Sequence, residues 1–298
     1  MTSLQNKQFQ IAILLFLGFI WGSSFILMKK SLILFSDLEL GAIRIFSAGL
    51  VLLPFAIKRI KTINRKQFYF IALSGFLGSG IPAFLFTIAQ KHITSTEASI
   101  YNSLTPLFTL IVAVFWFKTN VNRLNILGVL IGLAGSIFLI TQRSKGIIGT
   151  SNHPEYGLLL VLATIMYGFN TNHVKNNLKE VDGLTITSIA FMSMMVPVLP
   201  FFFHHGFIEK FQSPIFSISL LYALILSIVG TAFALIIWNK LIKHITAIYA
   251  SSVTYIIPIF AFGWGLLDGE IFNLNHIIAI FCIFTGIYLV NFKTKDGI

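Results

Sequence analysis

Ten long apolar stretches follow one another along this chain of 298 residues. They cover approximately residues 10–28, 40–57, 68–90, 97–117, 123–142, 155–174, 184–203, 215–238, 246–267 and 273–292. Roughly 20 apolar residues suffice to cross a bilayer as a helix, and continuous apolar runs lack the alternation of barrel strands. Only 10% of the residues are charged, too few for an ordinary water-facing surface. The sequence therefore predicts an all-α polytopic membrane protein with ten transmembrane helices.

The connections between these stretches are short, and most of the 21 Lys and Arg residues fall within them. If the N-terminus is cytoplasmic, most of these cations lie in segments on the cytoplasmic side, above all in 58–66. Cytoplasmic loops carry such an excess of Lys and Arg. The pattern predicts cytoplasmic N- and C-termini in a multi-pass protein of the cytoplasmic (inner) membrane. It also accounts for the net charge of +11 without nucleic-acid binding.

A segment in the middle of the chain recurs near its end. Residues 92–108 and 244–260 share His, Ile, Thr, Ala, Ser, Pro and Phe at a constant offset of 152 residues. Gly78 and Gly230 match at the same offset, and Pro54 and Pro200 match at 146. Because each half holds five predicted helices, the second half would begin on the opposite side of the membrane. The sequence thus predicts two inverted five-helix repeats, 1–145 and 146–298, as in many transporters.

Several short motifs accompany the repeat. They are Trp21-Gly22-Ser23-Ser24-Phe25, the two Thr-x-x-x-Ala-Ser…Pro-x-Phe segments beginning at Thr94 and Thr246, Leu267-Asp268-Gly269-Glu270, and the glycines 128, 132 and 135. In this combination the chain resembles the EamA-type family of the drug/metabolite transporter superfamily. The resemblance implies movement of small metabolites, amino acids or amphipathic compounds, often outward. One departure is Thr119, where family members usually carry Glu.

Polar residues at mid-depth in the fourth and ninth stretches are candidates for solute binding, because polar side chains in a membrane tend to face a cavity or the bundle. These candidates are Tyr101, Asn102, Thr105, Thr254 and Tyr255. Tyr101 and Thr105 are four residues apart and are expected to share a helix face. The matched prolines Pro106 and Pro258 can kink both helices and are candidate hinges, or else tolerated bends.

Further candidates lie on neighbouring stretches. Gln90 and Trp238 are expected near the same pathway, although Trp238 fits an interfacial anchor equally well. Asn170 is the residue of the sixth stretch most suited to line a cavity. Lys29 and Lys175 occupy matched positions and are either cationic sites for an anionic solute or Lys side chains that extend to the membrane surface.

Two charged residues near the predicted outer side raise separate hypotheses. Glu97 is either a proton-coupling carboxylate or an acid favoured by the first turn of its helix. Arg44, a turn into the second stretch, is expected to point outward or to pair with Glu39.

The sequence carries no catalytic, nucleotide-binding or metal-ligand motif, and its one cysteine, Cys282, cannot form an intramolecular disulfide. It predicts no enzyme activity, no cofactor, no metal and no nucleic-acid partner. The expected partners are a small-molecule solute and membrane lipid, with either a homodimer or a monomer possible. The predicted function is a secondary transporter, an exporter that alternates access around a central cavity. A membrane-embedded lipid-modifying enzyme and a passive channel are the alternatives.

Overall fold

The structure is a computed structural model that describes residues 6–141, 154–202, 207–267 and 274–290. In these ranges every regular element is helical. The α-helices are α1 (Lys7–Ser31), α2 (Asp37–Arg59), α3 (Arg65–Gly75), α4 (Ile81–His92), α5 (Ser95–Asn102), α6 (Thr105–Phe115), α7 (Arg123–Thr141), α8 (Gly157–Asn177), α9 (Gly183–Val198), α10 (Phe216–Ser227), α11 (Ala234–Leu241), α12 (Ala247–Ser251), α13 (Val253–Leu267) and α14 (Leu274–Val290).

Six helical segments within the described residues are long and apolar enough to cross a membrane. They are Lys7–Ser31, Asp37–Thr62, Arg65–His92, Gly183–Phe202, Phe216–Leu241 and Ala247–Trp264. Three of the remaining predicted spans contain shorter apolar helices, Thr105–Phe115, Arg123–Phe138 and Ile277–Val290. The sixth predicted span is the 21-residue helix α8, whose last turns carry Asn170, Thr171, Asn172 and His173.

A π-helical turn interrupts the same helix of each repeat. Residues Phe76–Gly80 join α3 to α4, and residues Ile228–Phe233 join α10 to α11. The two turns begin 152 residues apart, at the offset of the sequence repeat. Thr231 donates from its hydroxyl to the Leu226 carbonyl across the second turn. Such single π turns are frequent at functional sites.

Helix α1 packs on α13 in the way that α8 packs on α6. A Cβ at Gly22 would lie 2.7 Å from the Phe260 Cβ. A Cβ at Gly168 would lie 2.8 Å from the Phe108 carbonyl carbon. Gly22 and Gly168 are repeat partners at offset 146, and Phe108 and Phe260 are partners at offset 152. Each repeat therefore packs its first helix against the fourth span of the other.

Helices α2 and α9 form a second contact between the repeats, and an ion pair to the second repeat lies near each end of α2. Ser36 caps α2 and Asp182, its repeat partner, caps α9. Arg59 at the end of α2 lies 2.7 Å from Asp182, and Lys210 pairs with Glu39 near the start of α2. The end of α2 is thus held to Asp182, just before α9, and its start is held to Lys210, which follows α9 in the chain.

The glycines of the fifth stretch pack inside the chain. A Cβ at Gly128 would lie 2.7 Å from the Gly286 carbonyl oxygen, and one at Gly135 would lie 2.9 Å from the Cys282 Cβ. Small residues let helix backbones approach closely in a membrane. These glycines accordingly serve the close contact of α7 with α14.

Candidate functional site

A cavity of about 140 Å³ lies between helices of both repeats. It is lined by Trp21, Ser24, Phe25, Met28, Arg44, Gly78, Ser79, Phe86, Asn102, Thr105, Tyr167, Asn170, Thr171, Gly230, Thr231, Leu235, Trp238, Ser251, Val253, Thr254 and Ile257. The lining is a mixture of aromatic, small polar and aliphatic side chains. Such a mixture is typical of a site for a small organic molecule.

Most of the lining residues come in pairs related by the repeat. Three pairs have the offset 146: Trp21 with Tyr167, Ser24 with Asn170, and Phe25 with Thr171. Five have the offset 152: Gly78 with Gly230, Ser79 with Thr231, Phe86 with Trp238, Asn102 with Thr254, and Thr105 with Ile257. The lining of the cavity therefore follows the pseudo-symmetry that relates the two repeats.

Aromatic contacts repeat on the two sides of this cavity. Trp21 and Trp238 meet edge to face with ring centres 5.5 Å apart, and their repeat partners Tyr167 and Phe86 stack at 6.0 Å. The Trp21 ring N–H donates to the Gly230 carbonyl at 3.0 Å. Trp238 is 7% exposed, so it is a buried cavity residue and not an interfacial anchor. These rings provide two apolar walls.

The π turns bring small residues to the cavity. The Cα of Gly78 lies so close to the Asn170 amide that a Cβ would be 2.2 Å from its Nδ2. In the other repeat, a Cβ at Gly230 would be 2.9 Å from the Ser24 hydroxyl. Because Ser24 and Asn170 are repeat partners, each polar side chain rests on the glycine of a π turn.

Two polar atoms at the cavity lack partners among the described residues. The buried Oδ1 of Asn170 accepts no hydrogen bond, and the buried Nε of Arg44 donates none. Buried polar groups in folded proteins nearly always have a partner, so both atoms are exceptions that invite a ligand or water.

Arg44 carries the only formal charge among the described residues of the lining. The expectation that it pairs with Glu39 or points outward is wrong, because Glu39 pairs with Lys210 while Arg44 lines the cavity. The Arg44 carbonyl accepts a hydrogen bond from Ser227 at 2.7 Å, which ties this turn of α2 to α10.

Five of the residues proposed from the sequence line the cavity, namely Asn102, Thr105, Asn170, Trp238 and Thr254. The Thr105 hydroxyl donates to the Asn102 carbonyl at 2.8 Å, and the Thr254 hydroxyl donates to the Ser251 carbonyl at 2.9 Å. Both hydroxyls thus stabilise the helix ends at which the fourth and ninth spans are interrupted.

Three other candidates have structural contacts away from the lining. Gln90 donates to the Ser95 hydroxyl at 2.9 Å. Tyr101 packs against Gly157, where a Cβ would lie 2.3 Å from its ring. The expectation that Tyr101 and Thr105 share a helix face is wrong, because a turn at residues 103–104 separates α5 from α6.

Tyr255 is fully buried, and its hydroxyl donates to the Val129 carbonyl at 2.8 Å. It therefore joins α13 to α7. Its side chain is not part of the cavity lining.

The two lysine candidates lie at helix ends. Lys29 is exposed in the last turn of α1. Lys175, in the last turn of α8, donates to the Lys243 carbonyl at 2.9 Å. Neither belongs to the cavity lining, and their binding of an anionic solute stays a prediction.

The candidate hinges differ between the repeats. Pro106 falls in the first turn of α6, immediately after the break, where a missing N–H costs no helical hydrogen bond. Pro258 lies inside α13. Glu97 belongs to α5, but its side chain falls outside the described residues, and so do residues 268–270 of the Leu267-Asp268-Gly269-Glu270 motif.

Sequence reasoning missed Trp21, Ser24, Phe86 and Tyr167 as parts of the site. The signal that could have found them is the repeat itself. Ser24 is the partner of the candidate Asn170, and Phe86 is the partner of the candidate Trp238. Applying the offsets to Asn170 and Trp238 would have added Ser24 and Phe86, and Trp21 and Tyr167 are partners of each other at offset 146.

A solute-sized cavity among apolar helices, lined by both halves of a repeated chain, defines a membrane transporter. The model of the EamA-like transporter family matches residues 8–141 and again residues 156–292. The chain therefore belongs to this family and is a multi-pass protein of the inner membrane. The resemblance drawn from the sequence motifs is confirmed.

Named relatives agree with this class. The chain is 25% identical to the uncharacterized transporter YoaV of Bacillus subtilis, with 92% of this chain and 93% of YoaV covered. It is 26% identical to the uncharacterized inner membrane transporter YedA of Escherichia coli K12, over 91% and 87% of the two chains. The S-adenosylmethionine/S-adenosylhomocysteine transporter of Chlamydia muridarum is 23% identical, over 93% and 90%.

A solved crystal structure has the same fold. It superposes with a TM-score of 0.71 over 93% of this chain and 94% of the other, at 16% sequence identity. At this identity the likeness concerns the fold alone.

Proposed function

We propose that this protein is a secondary transporter that exports a small metabolite or amino acid through the central cavity. The proposed architecture has ten spans in two inverted repeats, 1–145 and 146–298, with both termini in the cytoplasm. The halves rock about the cavity and open it to one side of the membrane at a time. The observation that carries the proposal is the set of cavity residues paired between the repeats.

The ion pairs of α2 support the inverted arrangement. Ser36 and Asp182 are matched positions and cap matched helices. Asp182 lies against Arg59, which is at the opposite end of α2 from Ser36. Matched positions at opposite ends of one helix are expected only if the repeats are inverted.

The contacts between loops support a consistent sidedness. Besides Arg59 with Asp182, Lys175 reaches the Lys243 carbonyl, and Lys243 donates to the Val181 carbonyl. The alternation of the ten proposed spans places the connections 57–68, 174–184 and 238–246 on one side of the membrane. The assignment of that side to the cytoplasm rests on the excess of Lys and Arg.

The symmetry of the cavity supports a carrier mechanism. Because both halves supply equivalent residues, the same cavity can be closed from either side by exchanging two equivalent sets of contacts. Trp21 with Trp238 and Tyr167 with Phe86 form two such sets. A channel needs no such equivalence.

The cavity volume supports a small cargo. One enclosed water needs about 10–15 Å³, so 140 Å³ accommodates on the order of ten non-hydrogen atoms. An amino acid is of this size. The relative from Chlamydia muridarum is named as a transporter of two metabolites, which supports a metabolite cargo but not this size.

The test compares one substitution at two tryptophans. Trp238→Leu removes a ring from the cavity, whereas Trp116→Leu removes a ring that is 70% exposed outside it. Cells expressing each variant at equal membrane levels are grown, and the solutes of the medium are profiled. We expect one solute class to accumulate with the unmodified chain and with Trp116→Leu, and to fall about two- to tenfold with Trp238→Leu.

Purified protein in liposomes then separates the mechanisms. A carrier gives slow, saturable flux of that solute, whereas a channel gives a current proportional to voltage. Turnover of added lipid would instead favour the enzyme alternative. Equal medium profiles from cells with and without the chain would contradict the export proposal.

A further inference from the structure

We propose that Arg44 binds the carboxylate of the transported solute, while Asn170 accepts a hydrogen bond from a donor on the same molecule. The proposal rests on the proposed transport function and names the chemistry of the cargo: a small carboxylic acid with a hydrogen-bond donor and an apolar body. Within the cavity, Arg44 would contact the anionic group of the solute, and Asn170 would contact its hydrogen-bond donor.

The state of Arg44 supports the first contact. Its Nε is buried without a partner, and no ion pair to it forms among the described residues. A partly buried guanidinium with no counter-charge among the described residues is costly, because its desolvation is not offset. An Arg fork matches a carboxylate through two parallel hydrogen bonds. A carboxylate entering the cavity would satisfy the unpaired charge.

The state of Asn170 supports the second contact. Its Oδ1 is buried and unpartnered, although the residue is held closely against Gly78. An amide oxygen accepts hydrogen bonds and cannot donate them. The complementary ligand group is therefore an N–H or O–H, such as an ammonium.

The aromatic walls complete the description of the solute. Trp21 and Trp238 meet on one side, and Phe86 stacks on Tyr167 on the other. Such side chains offer apolar area to the rest of the molecule. The three features together fit an amphipathic acid of about ten non-hydrogen atoms.

Arg44 also breaks the symmetry of the cavity. Its repeat partner at offset 146 is Ala190, which packs against Gly75 and does not line the cavity. A symmetric cavity would accept a solute in two opposite orientations. The single cation selects the orientation in which the carboxylate faces α2.

The experiment compares acids with their neutral amides. Full-length protein is purified, and its thermal stabilisation is measured with each amino acid and with the corresponding C-terminal amide. The variants are Arg44→Gln, Arg44→Lys and the control Arg123→Gln, whose arginine is exposed at the start of α7. Solutes in the medium of cells expressing the same variants are profiled in parallel.

We expect the protein and Arg123→Gln to bind at least one acid about 30-fold more tightly than its amide. Arg44→Gln is expected to abolish this preference, and Arg44→Lys to retain part of it, since Lys keeps the charge without the fork. A purely structural role of Arg44 would weaken acid and amide equally, and that result would overturn the proposal.

The profiles separate failure of this inference from failure of the transport function. If the unmodified chain exports a neutral or purely cationic solute, the transport function stands and the carboxylate site is refuted. Export of an acid that is undiminished in Arg44→Gln has the same meaning. If the unmodified chain exports nothing, the transport proposal itself fails.

Discussion

Substitution of Gly22 by Ala tests the contact by which the first helix of one repeat packs on the other repeat. The added Cβ would lie 2.7 Å from the Phe260 Cβ and 2.9 Å from the Ile257 carbonyl oxygen. Ordinary carbon contacts begin at about 3.5 Å, so the helices must separate by roughly 0.8 Å. Both obstacles are close to or within the backbone and cannot rotate away. We expect the free energy of unfolding to fall by about 1–3 kcal/mol.

Two further variants make the measurement specific. Gly168→Ala places a Cβ 2.8 Å from the Phe108 carbonyl carbon, so its loss of stability should match that of Gly22→Ala. Gly263→Ala, in α13, meets nothing within 4 Å and should be neutral or stabilising by up to about 1 kcal/mol through helix propensity.

The assay is thermal unfolding of the purified proteins in one detergent. At about 2–4 °C per kcal/mol, the two tight positions predict a lowering of Tm by roughly 2–12 °C. If Gly22→Ala unfolds at the same temperature as the unmodified protein, α1 does not pack on α13 as described. If only one of the two tight variants is destabilised, the equivalence of the repeats at this contact is refuted.

Three more predictions concern single groups. Arg44→Met should stabilise the solute-free protein by about 1 kcal/mol in thermal unfolding, since it removes a partly buried charge that has no ion pair among the described residues, while transport is lost; a destabilised protein would contradict this. Burial alone would raise the pKa of the Asp182 carboxyl, but the hydrogen bonds from Thr185 and the charge of Arg59 outweigh it and hold the pKa below its usual range. The carboxyl therefore stabilises the fold above about pH 4 and loses this effect as the pH falls further, by no more than about 1 kcal/mol because its side chain is 55% exposed; Asp182→Asn should remove that pH dependence from unfolding curves. Tyr255→Phe removes the hydrogen bond to the Val129 carbonyl and should lower the unfolding free energy by about 1–3 kcal/mol, whereas solute affinity should not change.

The two-repeat plan was accessible from the sequence because close packing preserves residue identity at matched positions. Gly22 recurs as Gly168 because each glycine lets a neighbouring helix come close, at Phe260 in one repeat pair and at the backbone of Phe108 in the other. The π turns were not predicted. In these turns Gly78 contacts Asn170 and Gly230 contacts Ser24, each on another helix. A local sequence pattern contains no information about such long-range contacts.

The candidate site could be predicted only in part from the sequence, because the composition of a helix does not determine its rotation about its own axis. Neighbouring residues on a helix point about 100° apart, which is why Thr254 lines the cavity and Tyr255 does not. A similar separation divides Asn102 from Tyr101. In a span rich in polar residues, the sequence identifies which helical turn contributes to the site, but it does not show which residues of that turn face the cavity.

Arg44 was misjudged for a different reason. A cation one or two turns inside a span usually reaches the membrane surface or pairs with a nearby acid, and Glu39 is the nearest acid on the same helix, five residues earlier. In the structure, Glu39 forms an ion pair with Lys210 of the other repeat, and Arg44 lines the cavity. A long-range ion pair thus decides the role of a residue that local spacing assigns elsewhere.

The distribution of matched and unmatched residues around the cavity separates mechanism from specificity. In the proposed alternating-access mechanism, residues matched between the repeats, such as Ser24 with Asn170, build a cavity that either half can close. A residue such as Arg44, whose repeat partner Ala190 does not line the cavity, has no equivalent to exchange with in that mechanism. Cargo preference should therefore change when unpaired lining residues are exchanged, whereas substitution of the paired residues should slow transport of every cargo.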